Sequence, residues 1–356
     1  MSGIPIKGRG SLSNEVSRFE AFQRETFDDG WAGGEDLAPP RPATTVSLET
    51  ARSIISRNDS PDLYFDRSIN PYRGCEHGCV YCYARPTHAY LNHSPGLDFE
   101  TKLYAKHNAA EVLRKTLSSP SYAPHLIALG ANTDPYQPVE RRLRITGSIL
   151  AVLDEFNHPV AITTKSASVT QDIDRLARMA ARNLVQVHLS IGTLDRHMAR
   201  TLEPRASTPE ARFHAMRALA EAGIPTSVIV APVIPSLNDH DLEKIVFRAK
   251  AEGARSAHYV LLRLPREIAG LFQEWLAAHH PLKQEHVMNL IRQVRGGKVY
   301  DPDFKTRMRG SGVVADLIGQ RFRRACLKAG LNQRRVVLDL SGFRPPPAGS
   351  AQLALF

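Results

Sequence analysis

The 356-residue sequence has few cysteines, few tryptophans and no long apolar run. Only four residues are cysteine and two are tryptophan. No stretch approaches the roughly 18 consecutive apolar residues of a transmembrane helix, so we expect no membrane contact. The N-terminus also lacks the basic and then apolar pattern of a secretory signal. We therefore expect a cytoplasmic protein, in which thiols stay reduced.

Acidic residues are fewer than basic residues. The chain has 36 Asp and Glu against 46 Lys and Arg, which gives a formal net charge of +10. A basic excess favours a polyanionic partner, because each phosphate neutralised by Lys or Arg releases counterions. Charge alone does not separate nucleic-acid-binding proteins from other basic proteins, so this observation needs support from elsewhere in the chain.

The few cysteines are concentrated in one short stretch. Cys75, Cys79 and Cys82 fall within eight positions, with the spacing Cys-x3-Cys-x2-Cys. Thiols this close cannot all form disulfides, and their thiolates repel one another unless a cation neutralises them. Soft sulfur ligands favour zinc or an iron–sulfur cluster. Three local thiolates on a cubane [4Fe–4S] cluster would leave one iron open, and a structural zinc site completed by His77 or Cys326 is the alternative.

Short apolar segments alternate with amphipathic segments through the middle of the chain. Strands are predicted over 67–72, 101–105, 126–129, 160–163, 185–190, 226–231 and 257–262. Helices are predicted over 81–91, 109–117, 141–156, 171–182, 209–222, 239–252, 267–278, 284–295 and 316–329. Apolar strands that alternate with helices indicate parallel β/α units, of which we count about six.

The cysteine stretch resembles the signature of the radical S-adenosylmethionine (radical SAM) superfamily, in which an aromatic residue, here Tyr81, usually precedes the third cysteine. Residues 70–83 resemble more narrowly the spore photoproduct lyase-like branch, often labelled "DNA repair photolyase". Spaced matches to that branch extend over residues 55–265. The resemblance implies an α/β fold, a partial (β/α)6 TIM-like barrel open on one side.

The same resemblance implies the cofactors. The three clustered cysteines would bind a [4Fe–4S] cluster, whose open iron binds S-adenosylmethionine (SAM). An electron supplied by a donor such as flavodoxin or ferredoxin would then cleave SAM to methionine and a 5′-deoxyadenosyl radical.

Polar residues follow the predicted strands, at the ends where parallel β/α folds bind ligands. After the strand at 126–129 come Gly130, Asn132, Thr133 and Asp134. The superfamily usually has a Gly-Gly-Glu-like motif there, which holds the SAM ammonium group. This sequence departs from that motif. We therefore assign the role of holding the SAM ammonium group to this segment and not to one residue of it. A polar, proline-rich turn is the alternative.

Three further positions complete the predicted SAM site. Thr164, Lys165 and Ser166 resemble the Thr-Lys-Ser of the lyase-like branch, and the lysine could pair with the SAM carboxylate as a point charge. Ser190 ends a strand where the superfamily commonly has a polar residue bonded to the SAM ribose, although a serine there also suits a turn. Arg205 could bind a carboxylate or phosphate bidentately, or carry a solvated surface charge.

Cys326 stands apart from the other cysteines. Its apolar helical neighbours predict a buried structural thiol, and a hydrogen-atom donor to a substrate radical is the catalytic alternative. The spore lyase uses a cysteine located elsewhere, whereas residues 83–325 contain none here. This departure weakens thymine-dimer reversal as the specific reaction.

We divide the chain into four regions. They are a partly disordered extension (1–50) with a short helix predicted over 14–26, the barrel (51–280), a mostly helical region (281–342) and a flexible tail (343–356). The tail ends in Gln352–Phe356, which resembles the bacterial sliding-clamp-binding peptide Gln-Leu-x-Leu-Phe. Docking of these residues onto the protein's own core is the alternative.

The sequence therefore predicts a radical SAM enzyme that acts on nucleic acid, with DNA as the expected substrate, in a lesion-repair-like reaction. One alternative is a radical SAM enzyme that modifies a peptide, tRNA or small molecule. The other is a non-catalytic metal-binding module recruited to DNA. Lys and Arg clustered at the open mouth of the barrel would favour the first.

Overall fold

The structure, a computed structural model, describes residues 5–15, 18–19 and 42–345. Its strands are β1 (Thr45–Glu49), β2 (Ile55–Arg57), β3 (Arg67–Ile69), β4 (Tyr72–Arg73), β5 (Lys102–Lys106), β6 (Ile127–Leu129), β7 (Val160–Thr164), β8 (Val185–Ser190), β9 (Thr226–Val233) and β10 (Ser256–Leu261). Its α-helices are α1 (Leu97–Thr101), α2 (Ala109–Leu117), α3 (Glu140–Leu143), α4 (Ile145–Glu155), α5 (Ile173–Ala180), α6 (Arg196–Leu202), α7 (Pro209–Glu221), α8 (Leu242–Ala251), α9 (Ile268–His279), α10 (Gln284–Gln293) and α11 (Val313–Ala329).

Seven strands form the main sheet in the order β10-β9-β8-β7-β6-β3-β2. Six of them, from β3 to β10, run parallel and follow the order of the sequence, while β2 pairs antiparallel with β3 at one edge. Helices connect successive parallel strands, as parallel pairing requires. The predicted fold class, a partial (β/α)6 barrel, is confirmed. A separate three-stranded sheet, β1-β5-β4, carries the chain into the cysteine stretch.

The two faces of the barrel sheet differ in chemistry because side chains alternate along each strand. On β8, Val187 and Leu189 belong to the main hydrophobic core, which includes the buried side chains of the surrounding helices. The intervening His188 and Ser190 point to the other, inner face. The register places Thr163, His188 and Ser227 side by side on that face. The lumen of the barrel is therefore polar, and the helix-covered side is apolar.

Two predicted helices are wrong over part of their length. The segment 81–91 is helical only over Arg85–Leu91, as a 3₁₀ helix, because the residues before it form tight turns around the cysteines. The predicted helix 141–156 is divided into α3 and α4 at Arg144, whose φ of 54° breaks the regular backbone. At the break, the Arg144 side chain forms an ion pair with Asp172, with 2.6 Å between Nη2 and Oδ1.

The open side of the barrel is bridged at the edge strand β10. The Leu261 amide donates to the Met308 carbonyl, so the segment before α11 pairs with this edge. Arg307 in that segment donates through Nε and Nη2 to the two carboxylate oxygens of Asp62, at 2.6 and 2.5 Å. Asp62 lies between β2 and β3, at the opposite edge of the sheet. This seam ion pair (Asp62–Arg307) joins the two edges, and both side chains are largely buried.

No helix in the described ranges combines the length and the apolar character that crossing a bilayer requires. The helix predicted over 14–26 falls mostly on residues outside those ranges, and so does the peptide Gln352–Phe356. The division into four regions stays a prediction.

Candidate active site

The cysteine loop (residues 74–83) leaves β4 and lies at the carboxyl ends of the barrel strands. Gly74 and Gly78 have φ values of 75° and 66°, which favour glycine. A Cβ on Gly78 would lie 2.6 Å from Glu100 Oε2, so the loop also has no room for a side chain there. The Cys75 amide donates to the Phe99 carbonyl at 2.9 Å. These contacts fix the backbone around the first two cysteines.

The three thiols of the loop fit a cationic cluster larger than one ion. Burial raises the pKa of each thiol, and the Cys82 charge raises the pKa of both Cys75 and Cys79 further. Ionisation of all three therefore requires a compensating cation. Among the described residues, no three His, Cys, Asp or Glu side chains converge as ligands of a single ion. The thiolates of a multi-iron cluster bind different irons and need no such convergence.

The zinc alternative gains no support from its proposed fourth ligands. His77 Nδ1 lies 3.3 Å from Asp134 Oδ2, so that nitrogen faces a carboxylate. Cys326 lies in the main hydrophobic core on α11, whereas Cys75 belongs to a separate apolar cluster.

A buried arginine, Arg85, supports the cysteine loop from beneath. Its guanidinium has five N–H donors, and each one has an acceptor. The acceptors are the carbonyls of Gly78, Cys79, Pro95 and Gly96 and the carboxylate of Glu100. Both Arg85 and Glu100 are fully buried. The loop therefore rests on a saturated, charge-assisted network.

Residues 9–11 complete this network from the N-terminal side. The amides of Gly10 and Ser11 donate to the two oxygens of Glu100 at 3.0 and 2.9 Å. A Cβ on Gly10 would lie 1.9 Å from the Gly78 carbonyl oxygen, so the two backbones are in direct contact. The N-terminal segment thus forms one wall of the cysteine loop.

Asp134 organises the loop after β6. Its Oδ1 accepts from the Thr164 hydroxyl at 2.7 Å and from the Tyr136 amide at 2.9 Å, and its Oδ2 accepts from the Lys165 amide at 2.7 Å. Burial alone would raise the pKa of Asp134, but His77 and these hydrogen bonds lower it to about 2. The carboxylate is ionised at neutral pH, and protein groups already occupy its oxygens.

Lys165 brings several of the predicted site residues together. Its Nζ donates to Ser190 Oγ at 2.8 Å and lies 3.9 Å from Glu203 Oε1. The ammonium group also lies 5.8 Å from the centre of the Tyr81 ring. The Tyr81 hydroxyl donates to the same Glu203 carboxylate. Tyr81, Lys165 and Ser190 therefore form one cluster beside the cysteine loop.

Glu203 is a central residue of this cluster that sequence reasoning did not single out. It is buried and accepts from Arg212, whose Nη1 also donates to the Ser190 carbonyl at 2.6 Å. Burial would raise the pKa of Glu203, but the charges of Arg212 and Lys165 lower it. Nothing in the sequence marks the pair, because Glu203 and Arg212 meet only through the turn between α6 and α7.

Gly130 and Asn132 follow the carboxyl end of β6. Gly130 has a φ of 92°, and a Cβ there would lie 2.5 Å from the Thr163 carbonyl oxygen. The amide of Asn132 donates to Asn70 Oδ1 at 2.8 Å. The side-chain amide of Asn132 is exposed and has no hydrogen bond within the described part of the chain.

Thr133 and Ser166 have partners in the protein itself. The Thr133 hydroxyl donates to the Tyr72 carbonyl at 3.0 Å. Ser166 Oγ accepts from the Ser168 amide at 3.2 Å and so caps the short helix that follows β7. These contacts hold the loops of the site in position.

Arg205 and Cys326 lie apart from the Lys165 cluster. Arg205 Nη2 lies 3.0 Å from Glu76 Oε1, and its amide donates to the His77 carbonyl at 3.2 Å, so Arg205 braces the cysteine loop. Cys326 packs in the core on the helix-covered side, where burial raises the pKa of its thiol to about 11. The structure does not bring Cys326 to the lumen.

Arginines gather at the mouth of the barrel beside Tyr83, which follows the last cysteine. Arg263 Cζ lies 5.6 Å from the centre of the Tyr83 ring, and the charge of Arg307 also reaches this tyrosine. Burial and the neighbouring Arg263 lower the pKa of Arg295 to about 10. We call Arg263, Arg295 and Arg307 the mouth arginines. Asp62 forms the seam ion pair with Arg307. Among the described residues, it is the one carboxylate within 4.0 Å of a mouth arginine.

The lumen below the mouth contains a second polar group. Tyr64 Oη lies 3.3 Å from His188 Nε2, and the rings of His188 and His258 are 6.2 Å apart. Burial, and then the neighbouring His258, lower the pKa of His188 to about 3. His188 Nδ1 is buried and has no hydrogen-bond partner within the described residues. The inner face therefore offers a neutral, polar surface.

A partial (β/α)6 barrel with three clustered thiols at the carboxyl ends of its strands defines a class of enzyme. The chain matches the Radical SAM superfamily over residues 69–249, more than half of its length, and it belongs to that superfamily. The superfamily uses a [4Fe–4S] cluster and SAM, and these are the cofactors of this enzyme.

Relatives and solved structures agree with this assignment. An uncharacterised protein of Mycobacterium tuberculosis H37Rv is 37% identical over 249 residues, which cover 69% of this chain and 72% of that protein. An uncharacterised protein of Methanocaldococcus jannaschii is 27% identical over 62% of this chain and 79% of its own length. A spore photoproduct lyase mutant superimposes with a TM-score of 0.54 at 16% identity, covering 86% of this chain and 87% of its own. Another mutant of that lyase, with bound AdoMet and dinucleoside spore photoproduct, gives a TM-score of 0.53 at 15% identity over 80% of this chain and 79% of its own. These structures share the fold.

Proposed function

We propose that this radical SAM enzyme acts on nucleic acid, in a reaction of the lesion-repair kind. The observation that carries the proposal is the positive charge of the mouth arginines beside Tyr83. Arg307 is paired with Asp62 and Arg295 is buried against backbone carbonyls, whereas the half-buried Arg263 has no carboxylate within ion-pair distance in the described ranges. A positively charged entrance next to the reactive site favours a polyanionic substrate. The spore photoproduct lyase structure with a bound dinucleoside spore photoproduct agrees with this choice.

We assign the cofactor ligands as follows. Cys75, Cys79 and Cys82 hold the cluster. Cys75 and Cys79 are buried, Cys82 is partly buried, and their mutual proximity fits that role. When both cofactors are bound, they supply a 5′-deoxyadenosyl radical that abstracts a hydrogen atom from the substrate. Flavodoxin or ferredoxin is the expected electron donor.

The polar groups at the strand ends then bind and orient SAM. The Lys165 ammonium, held by Ser190 and near Glu203, is placed to pair with the SAM carboxylate. Asn132 offers a free side-chain oxygen to the SAM ammonium, whereas Asp134 is occupied by protein donors. Asn132 is therefore our choice within the segment 130–134, and Thr133, Asp134, Thr164 and Ser166 act by holding the loops.

The experiment that tests this function is anaerobic SAM cleavage with and without DNA that carries defined lesions. We expect the reduced holoenzyme to release 5′-deoxyadenosine and Cys79→Ala to release none. A lesion-bearing DNA should increase the rate of release, and a hydrogen atom from that DNA should be found in the 5′-deoxyadenosine. If a peptide or a small molecule stimulates SAM cleavage and nucleic acid does not, the result would favour a radical SAM enzyme that modifies a peptide or small molecule. The non-catalytic alternative has lost its support, because the chain belongs to an enzyme superfamily.

A further inference from the structure

Arg263 differs from the other mouth arginines in what compensates its charge. Arg307 has the carboxylate of Asp62, and Arg295 donates to four backbone carbonyls, those of Leu261, Leu262, Thr306 and Arg307. Arg263 has no carboxylate within 4.0 Å in the described part of the chain. Its contacts are the Met308 sulfur at 3.6 Å, the Tyr300 hydroxyl at 3.4 Å and the face of Tyr83.

The environment of this guanidinium is nevertheless partly closed. Arg263 is half-buried, and its Nε is buried without a hydrogen-bond partner among the described residues. A cation withdrawn from water is costly unless an anion or several acceptors replace its hydration. The neighbouring Arg295 adds repulsion of the same sign. An anionic ligand would relieve both costs.

The position of Arg263 connects that ligand to the reaction. The residue lies just beyond the carboxyl end of β10, the end at which barrels of parallel strands bind substrates. It contacts the ring of Tyr83, the residue that directly follows Cys82. An anion bound by Arg263 would therefore lie at the entrance, next to the cysteine loop.

We propose that Arg263 binds a phosphodiester of the substrate and thereby sets which nucleotide enters the barrel. The planar guanidinium matches two phosphate oxygens, and the half-exposed Tyr83 ring beside it is a surface on which a base can stack. This inference rests on the proposed nucleic-acid function, and it assigns Arg263 a positioning role in that function.

The test is binding of a fluorescein-labelled single-stranded thymidine oligonucleotide to the holoenzyme with SAM, followed by anisotropy at several salt concentrations. Arg263→Gln should weaken binding about tenfold, the loss typical of a charge-assisted hydrogen bond. It should also reduce the slope of log K against log salt by about 0.7, the value for one phosphate contact on a single strand. Both differences should vanish with a methylphosphonate oligonucleotide, whose backbone is neutral.

Arg324→Gln is the matched control, since Arg324 is exposed on α11 and its loss removes the same charge. It should leave affinity and slope nearly unchanged. Arg263→Lys keeps the charge without the fork, so it should retain the slope and lose part of the affinity. It also provides the test if Arg263→Gln fails to fold in thermal melts.

The outcomes separate the two proposals. Equal affinity and slope for wild type, Arg263→Gln and Arg263→Lys would overturn the inference and leave the nucleic-acid function standing. Absence of oligonucleotide binding by wild type would overturn that function itself. Tighter binding of polyglutamate than of the oligonucleotide, lost in Arg263→Gln, would show that the anion is a peptide carboxylate and overturn the phosphodiester assignment.

Discussion

Arg85 shows how a single residue can determine the shape of the cysteine loop. Its guanidinium and the Glu100 carboxylate are both fully buried, and together they bind the backbone of three separate segments. A buried pair of this kind depends on both partners, because loss of one leaves the other charged without compensation.

We predict that Arg85→Met lowers the free energy of unfolding by about 3–5 kcal/mol, the range observed when one partner of a buried pair is removed. Urea denaturation measures the change. Arg73→Met is the control, since it removes an arginine that is half-exposed and paired with Glu49 at 2.9 Å. That surface pair should contribute about 0–1 kcal/mol. Equal losses in the two variants would contradict the prediction.

His158 makes stability depend on pH. It is buried, its Nε2 lies 2.8 Å from Tyr122 Oη, and burial lowers its pKa to about 4. The unfolded chain binds a proton near pH 6.5, so the contribution of His158 is fully present above that pH and is lost as the pH falls toward 4. We expect protonation of His158 alone to lower the free energy of unfolding by about 2 kcal/mol between about pH 6.5 and 5.

The measurement is the unfolding free energy of wild type and His158→Gln across that range. The pH slope should be smaller in the variant. His214→Gln, on an exposed helix surface, should keep the wild-type slope. A slope unchanged by the loss of His158 would refute the assignment.

Residue patterns predicted part of the site and missed the rest for a physical reason. Cys75, Cys79 and Cys82 are close in sequence, so their spacing marks them as candidate ligands. Lys165 directly follows one apolar strand and Ser190 ends the next, which marks both as candidates. Glu203, Arg212, Arg85 and Glu100 are ordinary charged residues in the sequence, and their burial and pairing arise only when distant segments pack.

At the scale of the secondary-structure elements, the seam ion pair closes the open side of the barrel. Asp62 and Arg307 belong to segments at opposite edges of the sheet, and their contact is bidentate. Hydrogen bonds between two ionised groups in this geometry are among the stronger ones. The seam pair should therefore restrain both segments.

We predict that Asp62→Asn increases amide hydrogen exchange in residues 58–66 and 301–310, because loss of the pair permits local opening. Exchange followed by mass spectrometry measures this change. Asp59→Asn alters an exposed residue of the same connection and should leave exchange in 301–310 unchanged. Equal exchange in the two variants would contradict the role of the pair.

The elements that the sequence predicted best are those whose pattern is local. Strand β8 and helices α2, α7 and α11 agree within a few residues with the apolar periodicity that predicted them. Residues 81–91 carried a helical pattern too, yet the hydrogen bonds of the cysteine loop replaced its first turn. The short strands β1 and β2 were missed because they have only five and three residues, most of them exposed, and so form no buried apolar run.

At the scale of the whole molecule, the chain combines a catalytic barrel with a C-terminal peptide that we propose as a sliding-clamp ligand. Its Leu and Phe side chains would insert into an apolar clamp pocket. We predict that a peptide of residues 347–356 binds a bacterial sliding clamp, and that a version with Leu355 and Phe356 replaced by Ala does not. No binding at about 100 μM, a weak affinity, would end this proposal.

The contact between Gly10 and Gly78 has a practical consequence for anyone who shortens this protein. The superfamily match begins at residue 69, and a truncation there would look conservative. It would also remove Gly10 and Ser11 from the Glu100 carboxylate and uncover one side of the cysteine loop. The Glu100 carboxylate would lose two hydrogen-bond donors, and the Gly78 carbonyl would lose the backbone that packs against it. Trimmed versions should therefore keep everything from Arg9 onward, and a purification tag belongs upstream of that residue with a spacer long enough to leave the wall in place.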